Sequence, residues 1–238
     1  MERPSYATDG APATPTAAQD DHDISADAPG AHDVTRADIR ESRAAGPRAT
    51  LARDASDVLA ALRERRSCPG LTLPGPDHDE LRAMLEAAVS APDHGRLRPW
   101  RFIVVDAAAR TALGDALADA HAERDPAATP EELDRVRAKA HRAPTIVVVV
   151  AAPQPHPKVP AWEQRASAVC VAHGVVLAAD ALGYGAIWRT GWFGEAPKVR
   201  AHLGLAAHED VTGWIYLGTP VRQQAPRTPT EPAITWLT

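Results

Sequence analysis

Residues 161–183 read AWEQRASAVCVAHGVVLAADALG. From Ala166 to Leu182 the stretch is small and apolar on nearly every side, broken only by Ser167, His173 and Asp180. A helix that is apolar all round must be buried all round. It would run for about six turns, and a single domain of this size has little room to enclose that length. The cover predicted for its far side is a second copy of the chain, hence a symmetric dimer.

The segments around it set the fold class. "PTIVVVVAA" (144–152) is a continuous apolar run, the mark of a strand covered on both faces. "WRFIVV" (100–105) is an earlier strand. Between them lie two helices, "AAARTALGDALADAHAE" (107–123) and "TPEELDRVRAKAHR" (129–142). Thr129, Pro130 and Glu132 open the second of these. "PDHDELRAMLEAAV" (76–89) pairs Asp77 with Glu80 in a capping box and spaces Leu81, Met84, Leu85 and Ala88 along one helical face. "SDVLAALRERRS" (56–67) predicts a short helix capped by Ser56, with Val58, Leu59 and Leu62 on one side. After the long helix come "YGAIWRT" (184–190), the helix "APKVRAHLG" (196–204) and the strand "DVTGWIYLGTP" (210–220). Strands and helices mix without strict alternation, which favours α+β over a doubly wound sheet. The proline-rich "VRQQAPRTPTEPAITWLT" (221–238) reads as extended, yet Ile234, Trp236 and Leu237 require something to pack on. Arg222 and Arg227 within it read as solvated.

Composition divides the 238 residues in two. Residues 1–54 are rich in Ala, Asp, Pro and Thr, with Tyr6 as their only aromatic, and read as a disordered tail. All six tryptophans lie at or after position 100, so residues 55–238 form the expected single folded domain. The net charge of −5 and pI near 6.0 disfavour a nucleic-acid partner, which needs a basic face. Two cysteines, Cys68 and Cys170, without a CxxC spacing point to a reducing compartment. No run of eighteen apolar residues occurs, so no membrane span is expected and the predicted location is cytoplasmic.

The chain has no GxGxxG after a strand, no GxxxxGK[ST], no HExxH and no GxSxG. Its ten histidines do not fall at ligand spacing, so no metal site is predicted. Cys170, in an apolar helix, reads as a buried small hydrophobe. What remains is a set of cationic clusters at element ends. Arg65, Arg66 and Ser67 close the first helix, and guanidinium forks beside a hydroxyl suit a phosphate monoester. "SAPDHGRLRPWRF" (90–102) loads His94, Arg96 and Arg98 onto the mouth of a strand. "IWRTG" (187–191) places Arg189 between Trp188 and Thr190 at another. Each cluster alone is ordinary; together they suit a compact, multiply charged ligand with a planar part.

In order along the chain, "RRS", "APDH" with "PWRF", "HPKVPAWEQ", "GYGAIWRTG" and "YLGTP" resemble the nitroreductase-like flavoproteins. The nearest match is to the small YdjA-like NAD(P)H nitroreductases, over about Arg65 to Pro220. The resemblance implies an α+β fold, with a central mixed sheet flanked by helices in an intertwined homodimer, and FMN at the subunit interface. The implied reaction passes a hydride from NAD(P)H to the flavin and on to an electron-poor acceptor such as a nitroaromatic or quinone. The chemistry is the flavin's, so no catalytic residue is assigned. Arg65, Arg66 and Ser67 would hold the FMN phosphate and ribityl chain. His94 would serve the flavin of the neighbouring subunit. Trp188, Arg189 and Thr190 match the family's Trp-Arg-Ser, with the hydroxyl kept. The nicotinamide-contact segment falls on Ala178, Ala179, Asp180, Ala181, Leu182 and Gly183.

Three positions depart from the pattern. Ser90 replaces a flavin-contacting arginine, so it keeps its place in the implied cofactor set without the charge. Gly70 replaces a basic residue after "RRS", and Arg98 replaces a glutamine before Pro99-Trp100. Two other readings stand beside the enzyme: a flavin-sequestering stress protein of the same fold, and a structural or interaction protein.

Overall fold

The computed structural model describes residues 58–222, 224–225, 227–228 and 230–237. The expected tail, residues 1–54, and the Ser56 cap lie outside the described residues. Helix α1 (58–64) leads into β1 (Leu71–Thr72), α2 (His78–Ala88) and β2 (Trp100–Val105). Then follow α3 (Ala109–Arg124), α4 (Pro130–Arg137), β3 (Thr145–Ala151) and α5 (Ala161–Ala181). Next come β4 (Gly185–Arg189), α6 (Pro197–His202), β5 (Asp210–Pro220) and an arm whose described residues form neither helix nor strand. The class is α+β.

β5 is the central strand. It takes β4 along one side and β3 along the other, β2 lies outside β3, and β1 pairs with the last residues of β5. All these ladders are antiparallel, which refines the expected mixed sheet. The connections explain it. Two helices, α3 and α4, separate β2 from β3, so the chain returns reversed. One helix, α5, carries it from β3 to β4, and these two point the same way with β5 inserted between them.

The helices fall where local chemistry puts them. At α2 the Glu80 amide donates to Asp77 Oδ1 at 2.8 Å and the Asp77 amide to Glu80 Oε2 at 2.9 Å. Thr129 and Glu132 exchange the same pair of bonds at α4. Both satisfy amides that a helix start leaves open. On one face of the sheet α3, α4 and α6 cover Ile146, Val148, Val150, Trp214 and Tyr216. On the other, α2 and α5 cover Val147, Val149, Ile215 and Leu217. β3 is buried at all seven residues, as its unbroken apolar run requires. α2 and α5 approach so closely that a Cβ at Gly174 would stand 2.9 Å from Ala88 Cα.

α5 itself is enclosed on one side only. Ser167, Ala168, Val171, Val175 and Ala179 are buried against the sheet and α2. Trp162, Ala166, Val169, Cys170 and His173 form an exposed stripe, with Trp162 67% and Val169 46% accessible. Cys170 is therefore exposed within the chain and not buried, because it points away from the sheet. Val58, Leu59 and Leu62 of α1 are also exposed. No described helix is long and apolar enough to cross a membrane.

Candidate functional site

Four segments converge where α5 ends. Gly183, at φ +81°, turns the chain out of the helix into β4. The stretch after α1 is stitched to β4 by the Cys68 amide, which donates to Ala186 O at 2.9 Å. A Cβ at Gly185 would stand 2.6 Å from Leu71 Cδ2 and 3.1 Å from Cys68 Sγ, so any larger residue there requires these side chains to shift. The C-terminal arm is held by the Val221 amide donating to Gly70 O at 3.0 Å. Between them opens a cavity of about 900 Å³, inside the usual range for ligand pockets.

Its charge is the informative feature. Arg63, Arg66, Arg222 and Arg227 line it, against the carboxylates of Glu64 and Asp180, with Thr228 and Thr230 adding hydroxyls. Among the described residues none of the four arginines makes a salt bridge. Tyr184, also in the lining, donates its hydroxyl to Glu80 Oε2 at 2.6 Å, and that bond raises the phenol pKa. Guanidinium groups gathered around a concave space suit a phosphate-like anion.

His94 lies at the other end of α5. It opens a 3-10 turn, His94–Arg96, in which Arg96 has φ 55°, and Arg98 just beyond the turn has φ 48°, left-handed values that cost energy for residues other than glycine. Asp93 holds that backbone by accepting from the Arg98 amide at 2.7 Å. The exposed imidazole is then oriented by Glu163, Nδ1 to Oε2 at 2.7 Å, on the first turn of α5. Next to it, buried Gln164 donates to Gln154 O and Val159 O and accepts from the Gln154 amide. "HPKVPAWEQ" is thus a lock: it fixes the loop before α5 and aims Glu163 at His94.

The other predicted residues distribute as follows. Arg66, Asp180 and Gly183 meet in the cavity. Arg65 is half-buried and Ser67 exposed just before Cys68, outside the lining. Ala178, Ala179 and Ala181 form the last turn of α5 with Asp180, and Ala181 and Leu182 face outward. Ser90 spends its hydroxyl on Ala87 O at 2.8 Å. Trp188 and Arg189 point to opposite faces of the sheet, as neighbours in a strand must. Trp188 packs on the α5 side, its Nε1 donating to Thr212 O, while Arg189 lies 5.8 Å over the Tyr216 ring. The Arg189 Nε is buried without a partner among the described residues. Thr190 is exposed beyond it.

Sequence reading missed Arg63, Arg222 and Arg227. The i, i+3 spacing of Arg63 and Arg66 and the arginines following "YLGTP" were the available signal. Arg222 and Arg227 are exposed, as expected of the arm, and they also line the cavity together with Arg66.

The comparisons with known proteins agree with this architecture. The sequence model of the Nitroreductase family matches residues 62–219. The chain is 38% identical over 167 residues to "Putative NAD(P)H nitroreductase YdjA" of Escherichia coli K12, spanning 69% of this chain and 88% of that protein. It is 37% identical over 164 residues to a Haemophilus influenzae protein of the same description, spanning 68% and 88%. A nitroreductase-like family protein from Bacillus cereus superposes with a TM-score of 0.65 at 22% identity, over 73% of this chain and 91% of that one. A nitroreductase with bound FMN from Bacteroides fragilis does so with a TM-score of 0.59 at 25% identity, over 76% and 98%. On the family match and the relatives' coverage, the chain belongs to the nitroreductase family.

Proposed function

We propose that this protein is an FMN-dependent NAD(P)H oxidoreductase working as a homodimer in the cytoplasm, with a flavin at each of two subunit junctions. The observation that carries the reading is the four-arginine cavity at one end of α5, with His94 at the other. The relatives described as NAD(P)H nitroreductases and the fold neighbours with bound FMN support the same cofactor.

The residues fit the group. The cavity offers more positive than negative side chains and two hydroxyls, and the buried Arg189 Nε has hydrogen-bonding capacity to spare. Arg63, Arg66, Arg222 and Arg227 would hold the phosphate, with Arg65 and Ser67 towards the ribityl chain. Trp188, Arg189 and Thr190 would border the ring, and the small side chains of Ala178–Gly183 leave room for a nicotinamide. Bound there, FMN supplies the capacity to take a hydride from NAD(P)H and hand it to a nitroaromatic or quinone. The protein's part is to bind, orient and exclude water. The α5 stripe would be the face that the second subunit covers, and the partner subunit's His94 would complete each site.

Two measurements test this. Denatured holoprotein should release FMN, and anaerobic addition of NADH or NADPH should bleach the bound flavin. Release of FAD, or purification with no flavin and failure to take up FMN, would contradict the reading. The flavin-sequestering alternative is favoured by Ser90, whose hydroxyl is spent on its own helix and brings no charge. It predicts a yellow protein that neither nicotinamide bleaches.

A further inference from the structure

Two loops meet around His94, and hydrogen bonds make them one platform. Gln154 Nε2 donates to Leu97 O at 3.1 Å, and a Cβ at Gly95 would stand 3.4 Å from Val159 Cγ2. His156 Nδ1 accepts from the Lys158 and Val159 amides at 3.2 and 3.0 Å, which fixes the turn carrying Lys158. Buried Gln164 holds the same loop through Gln154 O and Val159 O.

That platform presents three exposed cations, Arg96, Arg98 and Lys158. None of them makes a salt bridge among the described residues. The carboxylates on the platform are engaged elsewhere: Asp93 Oδ2 accepts from the Arg98 amide, and Glu163 pairs with His94. In a chain of net charge −5, three such cations on one fixed surface make a local field of the opposite sign. The backbone adds a second observation. Arg96 and Arg98 hold left-handed φ values, where glycine or asparagine would cost less. Two long cationic side chains stand where the backbone favours neither, and strain of this kind gathers at ligand-binding positions.

We infer that Arg96, Arg98 and Lys158 form an anion seat at the mouth of the shared site, and that the acceptor taken there is an electron-poor aromatic bearing a carboxylate or sulfonate. The inference rests on the function proposed above, which brings His94, and its neighbours with it, to a flavin. A guanidinium fork matches a planar carboxylate, whereas an uncharged nitroaromatic or quinone offers it only neutral oxygens. NAD(P)H carries oxyanions too, but it has its own contact segment, Ala178–Gly183, in the cavity half of the site. The carboxylate is a handle and does not react: NAD(P)H and one proton convert the nitro group to nitroso and water, and NAD(P)+ leaves.

The test compares wild-type holoprotein with Arg96→Gln/Arg98→Gln, which keeps polar side chains but removes their charge, and with Lys158→Gln, which lies outside the strained turn. Benzoate and benzamide, neither of them reduced, are titrated into the oxidised holoprotein and followed by perturbation of the flavin absorbance. Then para-nitrobenzoate and para-nitrobenzamide are compared as acceptors by kcat/KM. Wild type should prefer the carboxylate of each pair by roughly ten-fold or more, the worth of one charge-assisted hydrogen bond. Added salt should shrink that preference. The double variant should lose it and Lys158→Gln should lower it, while flavin content and the rate of bleaching by NAD(P)H stay at wild-type values. No preference in wild type, or an undiminished one in both variants, would overturn the anion seat. Slower bleaching with an unchanged carboxylate preference would give these cations to the NAD(P)H phosphates and overturn the acceptor assignment. A protein that takes up no FMN would instead overturn the proposed function, and this inference with it.

Discussion

Glu163 and Asp180 occupy the first and last turns of the same helix, and each belongs to a different half of the candidate site. Glu163 holds His94 at 2.7 Å, while Asp180 lines the arginine cavity. Their places on α5 put them about 25 Å apart at 1.5 Å per residue. In the shared-site reading proposed above, that separation would assign the two halves to flavins at different subunit junctions.

The arm arginines give the first prediction. Arg222→Ala and Arg227→Ala should each weaken FMN binding by roughly ten- to a hundred-fold, the loss of one charge-assisted hydrogen bond of about 1.5–3 kcal/mol. Arg135→Ala, whose exposed partner Glu132 is a turn away on α4, should change nothing measurable. Fluorescence titration of the apoprotein with FMN reads all three. Wild-type affinity in both arm variants would place the phosphate elsewhere.

The exposed stripe of α5 gives the second. Val169→Glu alters no contact in the buried half of the helix, so secondary structure and thermal unfolding of the chain should persist. The dimer should be lost, and flavin with it, because burying an unpaired carboxylate opposes association. Light scattering with an absorbance ratio checks both. A dimer that keeps its flavin would show that this face stays in solvent.

Much of this was legible in the residues, and the exceptions have physical causes. The capping boxes at Asp77–Glu80 and Thr129–Glu132 are local chemistry, and they form where the spacing predicts. β3 could be read because a strand covered on both faces takes an almost unbroken run of apolar side chains, here Ile146 to Ala151 after Thr145. Within the chain α5 is covered on one face only, and because periodicity could not say which residues face which, Cys170 fell on the wrong side. Arg222 and Arg227 were hidden because a proline-rich arm carries no period from which a direction can be inferred. Trp188 and Arg189 are neighbours in sequence yet lie on opposite faces, a consequence of strand alternation that reading a motif as a unit conceals. Gln164 was visible only as a letter in "WEQ"; its three hydrogen bonds depend on a loop ten residues away.

A third prediction concerns acid stability. Arg101 clasps buried Glu209 through Nε at 2.6 Å and Nη2 at 2.7 Å, tying β2 to the loop before β5. The Arg101 hydrogen bonds, first among the causes, hold the Glu209 carboxyl down at about 2, against an ordinary value of 4.5. A carboxylate depressed on folding stabilises the protein above its unfolded pKa. That contribution is lost as pH falls from about 4.5 through about 2. Glu209→Gln should flatten the stability profile in that window. Arg101→Met should cost about 2–3 kcal/mol at neutral pH by stranding a buried charge. Urea unfolding at several pH values measures both, and a Glu209→Gln profile that parallels wild type would contradict the assignment.

The most direct measurement asks whether one flavin draws on both chains. Arg66→Ala removes the cavity half of the site and His94→Ala the other, and each homodimer is expected to be inactive. Co-refolded in equal amounts, about half of the dimers should be mixed. In each of these, one site receives an intact Arg66 from one chain and an intact His94 from the other, while the second site carries both lesions. About a quarter of wild-type NAD(P)H oxidation should therefore return. If Arg66 and His94 served a flavin within one chain, every site would keep a lesion, and no recovery from properly mixed dimers would contradict the shared site.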